Sequence, residues 1–276
     1  MYRNTTNDNP PPRGDRYTLP NGLPVYHINK HETDFAYKEI FQDEVYFKHG
    51  ITLGGNVCVF DVGANIGLFS LYIVLKYPTA RVYAFEPAPS LLELLSYNVE
   101  PYGNNVTVYP CGLSDKNGEA DFTYYPNYSI MSGFHAEPDA DIETLSAGIR
   151  NQLRKEGPED PHPNAELVRA LSKTKLSGRK TITCKLRTVS SVLRDTSIDR
   201  IDLLKIDTEK SEPSVIAGIE NEDWPRIKQI VAEVHSREAT NVIARILQER
   251  GFRTVVDQDD QFANSQVANV YATRPK

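Results

Sequence analysis

The chain has 276 residues, 39% of them apolar and 25% charged, a folded-protein composition long enough for one large domain or two small ones. With 31 Lys and Arg against 37 Asp and Glu the net charge is −6, which gives no electrostatic grip on a nucleic-acid backbone or an anionic lipid surface and argues against both as partners. No apolar run approaches the ~20 residues of a membrane span, the polar, proline-rich start does not read as a signal peptide, and three scattered cysteines with neither paired nor metal-ligand spacing point to a reducing, cytoplasmic compartment.

Residues 1–17 hold Pro10, Pro11 and Pro12 among polar side chains, too little apolar surface to offset ordering entropy, and are expected to be a disordered tail. Residues 18–50 read as an N-terminal helical cap: Leu23 to Ile28 alternates like a strand, and Thr33 to Lys48 spaces Phe35, Ile40, Phe41 and Val45 as a helix does. The main domain, residues 51–276, then alternates short apolar runs with helices, the pattern of a mostly parallel sheet covered on both faces.

Its seven strands are expected at Val57 to Asp61, Arg81 to Glu86, Val106 to Cys111, Ile201 to Asp207, Lys228 to His235, Phe252 to Asp257 and Ala268 to Thr273. Helices are expected at Ile66 to Lys76, apolar all round and therefore buried, and at Ser90 to Glu100, capped by Ser90. Two more follow at Pro213 to Glu220 and Glu238 to Arg250. The stretch between the third and fourth strands breaks the alternation, with two further strand candidates at Ala120 to Tyr125 and Lys180 to Val189. Between those, residues 135–180 have no Phe, Tyr or Trp, cannot build their own core, and read as a surface helical lid or a partly disordered insertion.

The strongest chemical signal is VCVFDVGANIGLFS, residues 57–70: a buried strand ending in Asp61, a turn through Gly63, Asn65 and Gly67, then an apolar helix. Such a turn brings backbone amides to the positive end of a helix, where an anion is stabilised. It lacks the second glycine that seats a dinucleotide pyrophosphate, so an amino-acid-like carboxylate and ammonium pair fits better, amides for the carboxylate and Asp61 for the ammonium. The plain alternative is an ordinary strand-to-helix turn. In AFEPAPS, Glu86 ends the next strand where a carboxylate can accept hydrogen bonds from a ribose diol, with Pro87 stiffening the turn. Gly112, Leu113 and Ser114 end the third strand and are candidates for an adenine slot or simple turn residues.

On VFDVGANIGLFS, AFEPAPSLLELLSYNV, CGLSD, and LLKIDTEKSEPSVIAGI followed by IVAEVHS, the sequence resembles class I S-adenosylmethionine-dependent methyltransferases of the FkbM type, from about Tyr37 to about His235. YKEIFQDEVYFKHGI and FTYYPNYSIMSG look like the branch found with polyketide and nonribosomal peptide pathways. The resemblance implies an α/β, doubly wound, Rossmann-like fold with a mostly parallel seven-stranded sheet of order 3-2-1-4-5-7-6, and S-adenosyl-L-methionine bound over the first two strands. One departure stands out: the family commonly reads Lys-Ile-Asp-Val-Glu-Gly-Ala-Glu where this chain has KIDTEKSE, with Lys210 in the glycine position.

Asp207 ends the fourth strand beside the expected cofactor, Glu209 and Glu212 follow, and alternation puts Glu233 and His235 on one side of the fifth. Together Asp207, Glu209, Glu233 and His235 are the candidate catalytic set, able to hold a base, a substrate hydroxyl or a divalent cation. Their spacing matches no defined metal loop, so no metal site is assigned and metal dependence is left open. A hydroxyl acceptor must lose a proton during methyl transfer, which calls for His235 or Asp207 as base with Glu209 and Glu233 orienting. FTYYPNYSIMSGF, residues 122–134, reads either as a loop closing over the substrate or as an aromatic edge strand. His27, His31 and His49 read as solvated surface residues and Trp224 as a packing anchor.

The expected function is O-methylation of a small-molecule or carrier-bound natural-product intermediate. An NAD-dependent oxidoreductase is the rival enzyme, disfavoured by the glycine spacing. A catalytically inactive cofactor-binding docking module is the non-enzymatic alternative, with the Lys210 departure in its favour.

Overall fold

The computed structural model describes residues 15–156, 164–258 and 265–275. Strand β1 (Asp15–Thr18) pairs antiparallel with β2 (Pro24–His27), so the tail expected to run to residue 17 is already strand from Asp15; residues 1–14 lie outside the described residues. His27 is a correction too. Its ring is buried, stacked on Tyr17 at 5.0 Å and 3.0 Å from Thr33 Oγ1, and burial holds its pKa below the usual imidazole value.

The cap helix starts earlier than its apolar spacing indicates because Asn29 caps it, its Oδ1 accepting from Glu32 N at 3.0 Å. Helix α1 (Lys30–Tyr37) widens into one π turn (Lys38–Gln42), stops where Glu44 turns left-handed, and resumes as a 3-10 turn (Val45–Phe47). A single helix from Thr33 to Lys48 is therefore replaced by three short pieces.

Strand β3 (Cys58–Val62) leads to α2 (Leu68–Lys76), buried at every residue from Leu68 to Val74, as its all-round apolar sequence requires. Strand β4 (Arg81–Phe85) leads to α3 (Pro89–Val99), where Ala88 is the N-cap and Ser90, expected to cap, lies inside the first turn. Strand β5 (Val106–Tyr109) stops short of Cys111 because the chain leaves the main sheet there. Strands β6 (Gly112–Leu113), β7 (Gly118–Tyr124) and β8 (Lys180–Arg187) form a separate sheet of order β6-β8-β7.

Between β7 and β8 stand α4 (Pro138–Glu156) and α5 (Ala165–Lys175), packed on each other. The segment has the helical form expected of a lid, and the core it could not build alone is completed by Tyr125, which packs with Leu145 and Leu176. Residues 157–163 of the expected lid lie outside the described residues.

After β8, Thr188 and Ser191 form a capping box that starts α6 (Val189–Asp195) where a strand was expected to end. Strand β9 (Leu203–Ile206), α7 (Glu212–Ala217), β10 (Gln229–Val234), α8 (Arg237–Glu249), β11 (Arg253–Asp257) and β12 (Ala268–Thr273) complete the main sheet in the order β11-β12-β10-β9-β3-β4-β5. Counted along the chain this is 3-2-1-4-5-7-6, parallel except for β12, which runs antiparallel to both neighbours. It is the class I methyltransferase arrangement that the resemblance implied. Helices α2 and α3 cover one face and α6, α7 and α8 the other, where Trp224 anchors against Phe252. Among the described residues no helix is long and apolar enough to cross a membrane.

Candidate active site

Sheet topology places the carboxyl ends of β3, β4, β9 and β10 side by side, and a cavity of about 510 Å³ opens above them. The cap supplies one wall and α4 part of the roof. Gly63, Asn65, Glu86, Pro87, Gly112, Leu113, Asp207, Glu209, Glu233 and His235 all line this cavity; Asp61, Gly67 and Ser114 do not.

The turn after β3 differs in its workings from what its glycines imply. Gly63 N and Ala64 N both donate to Phe85 O, at 3.1 and 3.0 Å, and Gly67 N donates to Ala64 O at 2.8 Å. Asn65 N donates to Glu86 Oε2 at 2.9 Å and Ile66 N to Asn65 Oδ1 at 2.7 Å. Every amide from Gly63 to Gly67 thus has a partner inside the protein, and the expected amide cradle for a carboxylate is not formed by them. The glycines serve packing instead. A Cβ on Gly63 (φ 76°) would lie 1.8 Å from Asp207 O, and one on Gly67 (φ 89°) 2.6 Å from Leu95 Cδ1.

Asp61, expected to meet an ammonium group, is fully buried beneath the cavity. Its Oδ2 accepts from Ser70 Oγ at 2.7 Å and its Oδ1 lies 3.1 Å from Lys205 Nζ. Lys205, which sequence reasoning missed, lines the cavity floor, donates to Gly63 O at 2.9 Å and stands over the rings of Tyr46 and Phe69. Burial presses its pKa down, but the Asp61 and Asp207 carboxylates outweigh that and raise it, so the ammonium stays charged. A signal for it existed: a lysine inside the wholly buried strand LLKI can persist only if paired.

Glu86 is buried at the other end of the cavity, Oε1 accepting from Ala88 N and Oε2 from Asn65 N, both at 2.9 Å. Burial pushes its carboxyl up to about 7 despite those two bonds. Each oxygen keeps a second lone pair, so the group fits a diol donor. Gly112 faces Phe134, whose ring a Cβ would meet at 2.6 Å. Ser114 is engaged elsewhere, its amide on Arg187 O at 2.7 Å and its carbonyl pressed against Gly218.

The candidate catalytic residues do converge. Asp207 Oδ2 accepts from Tyr46 OH at 3.0 Å and lies 3.6 Å from Lys205 Nζ. His235 Nδ1 is 3.1 Å from Glu212 Oε1, and Nε2 is 3.2 Å from Glu209 Oε2 and 3.6 Å from Glu233 Oε1. Burial alone would lower the imidazole's pKa, but Glu209 and Glu212 hold it well above the usual value. A carboxylate near each ring nitrogen favours the protonated ring, in which both nitrogens donate. A proton held there works against the expected role of His235 as a base near neutrality. Burial, with Asp207 and Glu39 nearby, drives Glu233 well above the carboxylate range, and burial raises Glu209 against the opposing pull of His235. The oxygens of Asp207 and Glu233 and a nitrogen of His235 lie within 4.8 Å of one another, close enough for a shared cation.

Tyr46 and Glu39 were missed because they come from the cap, far away in sequence. The aromatic segment combines its two readings: β7 runs to Tyr124, and Tyr128 to Ser132 continue as cavity wall. Glu32 of α1 clamps that wall, accepting from Ser129 Oγ at 2.6 Å and Ile130 N at 3.1 Å.

Residues 61–254 match the family described as the methyltransferase FkbM domain. The chain is 40% identical over 257 residues to the 31-O-demethyl-FK506 methyltransferase FkbM of Streptomyces tacrolimicus, covering 93% of this chain and 95% of that one. It is 38% identical over 266 residues to the AMB antimetabolite synthetase AmbE of Pseudomonas aeruginosa, covering 93% of this chain and 12% of that protein. It is 33% identical over 256 residues to the methyltransferase sdnD of Sordaria araneosa, covering 87% of this chain and 92% of that one.

Proposed function

Because this chain belongs to the FkbM methyltransferase family, we propose that it O-methylates a hydroxyl of an apolar natural-product intermediate, with Asp207 as the proton acceptor. It is an S-adenosylmethionine-dependent methyltransferase; the proposal concerns the acceptor atom and the residues. When bound, S-adenosylmethionine supplies an electrophilic methyl group on a sulfonium. Glu86, with a free lone pair on each oxygen at the β4 end, would hold the ribose diol, and Pro87, Gly112 and Leu113 would flank the base.

The observation that carries the reading is Asp207 at the cavity floor, its Oδ2 fixed by Tyr46 and its side chain about one-quarter exposed at 27%. A hydroxyl has a pKa far above neutrality, and a positioned base contributes roughly 10²- to 10⁴-fold to removing its proton. Asp207 takes that proton. His235 keeps both of its own on Glu212 and Glu209, and its positive charge offsets part of the acidic floor. Lys205 does the same from the β3 side. Ile40, Ile130, Met131, Leu145 and Ile149 make the acceptor side apolar, which suits a small molecule or a carrier-tethered chain. The relative whose name specifies a 31-O-demethyl substrate supports oxygen as the acceptor atom.

A divalent cation is a second reading, favoured by the 4.8 Å cluster of Asp207, Glu233 and His235 donors and by Glu212 orienting the far nitrogen of the imidazole. There the carboxylates would be ligands and the hydroxyl would ionise by coordination. The oxidoreductase alternative falls with family membership. The Lys210 departure, once the support for an inactive module, leaves the turn intact: Lys210 takes φ 75°, which glycine would also adopt. Mass spectrometry of candidate acceptors, free and carrier-bound, incubated with S-adenosylmethionine tests the proposal; a methyl gained on oxygen in the parent chain and lost in Asp207→Asn is expected, and a methyl on carbon or nitrogen overturns it.

A further inference from the structure

Two consecutive residues after β9 lie in the left-handed region, Glu209 at φ 49° and Lys210 at φ 75°. Glycine adopts this backbone freely, whereas a lysine is strained in it. The Lys210 side chain shows what the strain accompanies. Its Nζ donates to Asp141 Oδ1 at 2.6 Å, and Asp141 Oδ2 accepts from Tyr125 OH at 2.9 Å. Asp141 is buried in the first turn of α4. From there one face of the helix continues through Leu145, Gly148 and Gln152, all of which line the cavity.

The same turn touches the floor. Lys210 N donates at 3.0 Å to Glu212 Oε1, the oxygen that faces His235 Nδ1 at 3.1 Å. Gly133, a few residues before α4, passes so close to the turn that a Cβ there would sit 2.8 Å from Glu209 O. One residue therefore joins roof and floor, by its side chain to α4 and by its amide to the carboxylate that orients His235.

We propose that Lys210 is a positioning residue, and that its ion pair with Asp141 seats α4 over the acceptor cavity and sets the helix's register against the acidic turn. The inference rests on the methyltransferase reading only for what the cavity holds. The pair ties the roof to the floor: without the cation, a buried carboxylate on the first turn of α4 is left with one hydrogen bond, and the helix is held only by its packing on Tyr125, Leu176 and α5.

Hydrogen exchange by mass spectrometry on the full chain, with no ligand present, decides it. Lys210→Gly accepts the left-handed backbone, so a failure to fold is not built into the variant. Residues 141–152 are expected to exchange about tenfold faster in Lys210→Gly and in Asp141→Asn, with the double variant no faster than either, while β3 and β10 keep their protection. Exchange of α4 at the parent rate in Lys210→Gly, additive effects in the double variant, or loosening spread equally to β3 and β10 would each overturn the proposal. Calorimetry with S-adenosylmethionine separates this from the function itself. Unchanged affinity in Lys210→Gly is expected because Glu86 holds the far end, and lost affinity there would overturn a role confined to the roof. Absence of binding in the parent chain would sink the methyltransferase reading while the exchange result still judged Lys210.

Discussion

Lys205 Nζ and Asp61 Oδ1 lie 3.1 Å apart with side-chain exposures of 3% and 0%, an ion pair that ties the middle of β9 to the end of β3 directly beneath the cavity. Lys205→Met leaves the buried Asp61 carboxylate without its cation and is expected to lower stability in urea by about 3–5 kcal/mol. Asp61→Asn should cost less, because Lys205 keeps Asp207 at 3.6 Å. The double variant should lose much less than the sum, because neither charge is then stranded.

If Glu86 holds the ribose diol as proposed, cofactor binding is expected to depend on pH. Its carboxyl is raised to about 7 in the folded protein, and only the ionised form accepts both hydroxyls of a diol. Affinity for S-adenosylmethionine should therefore fall roughly tenfold per pH unit below that value. Calorimetry between pH 5.5 and pH 8 should show this slope in the parent chain and none in Glu86→Gln, which should bind more weakly throughout by about 1–3 kcal/mol. The sign for stability is opposite. The folded state binds this proton up to about 7 whereas the unfolded chain releases it near 4.5, so Glu86 disfavours folding progressively as pH rises through that window.

Gly63 cannot report on the cofactor. A side chain at this position strikes the Asp207 backbone, so Gly63→Ala is expected to unfold the chain or displace β9, and circular dichroism should show the loss before any binding is measured.

Asp207→Asn should lower turnover by roughly 10²- to 10⁴-fold with cofactor affinity intact. His235→Gln should act mainly on stability. The imidazole's pKa is raised by Glu209 and Glu212, so its contribution is full below the unfolded value of 6.5 and disappears as pH rises through the higher folded value. Thermal melts of the parent should fall more steeply on the alkaline side than those of His235→Gln. A flat parent profile would remove the imidazolium from the account.

Turnover should survive exhaustive chelation if Asp207 is the base. Loss of activity with a chelator and its return with Mg²⁺ would reassign Asp207, Glu233 and His235 as ligands.

Much of this architecture is legible in the amino-acid sequence. The apolar runs located every strand of the main sheet, Ala268–Thr273 to the residue, and the inner strands Leu203–Ile206 and Gln229–Val234, covered on both faces, carry that environment in their own composition. The all-round apolar α2 announced its burial in the same way. Glu86 and Asp207 were recognisable as cavity residues because both sit where a strand ends, and strand ends in such sheets face the crevice. The separate sheet β6-β8-β7 was not legible, since a period of two marks a strand without naming its neighbour.

What the sequence by itself determined, then, is which segments are buried and where acids and glycines meet the strand ends, for these follow from local composition and period. The tertiary structure alone decided what those groups do. It turned the DVGANIG amides inward onto Phe85 O and Glu86, brought Tyr46 from the cap to Asp207 across 161 positions, and set carboxylates at both nitrogens of His235. Hydrogen-bond partners and proton affinities are properties of neighbours in space, and a residue's chemical role is fixed only when the fold has chosen those neighbours.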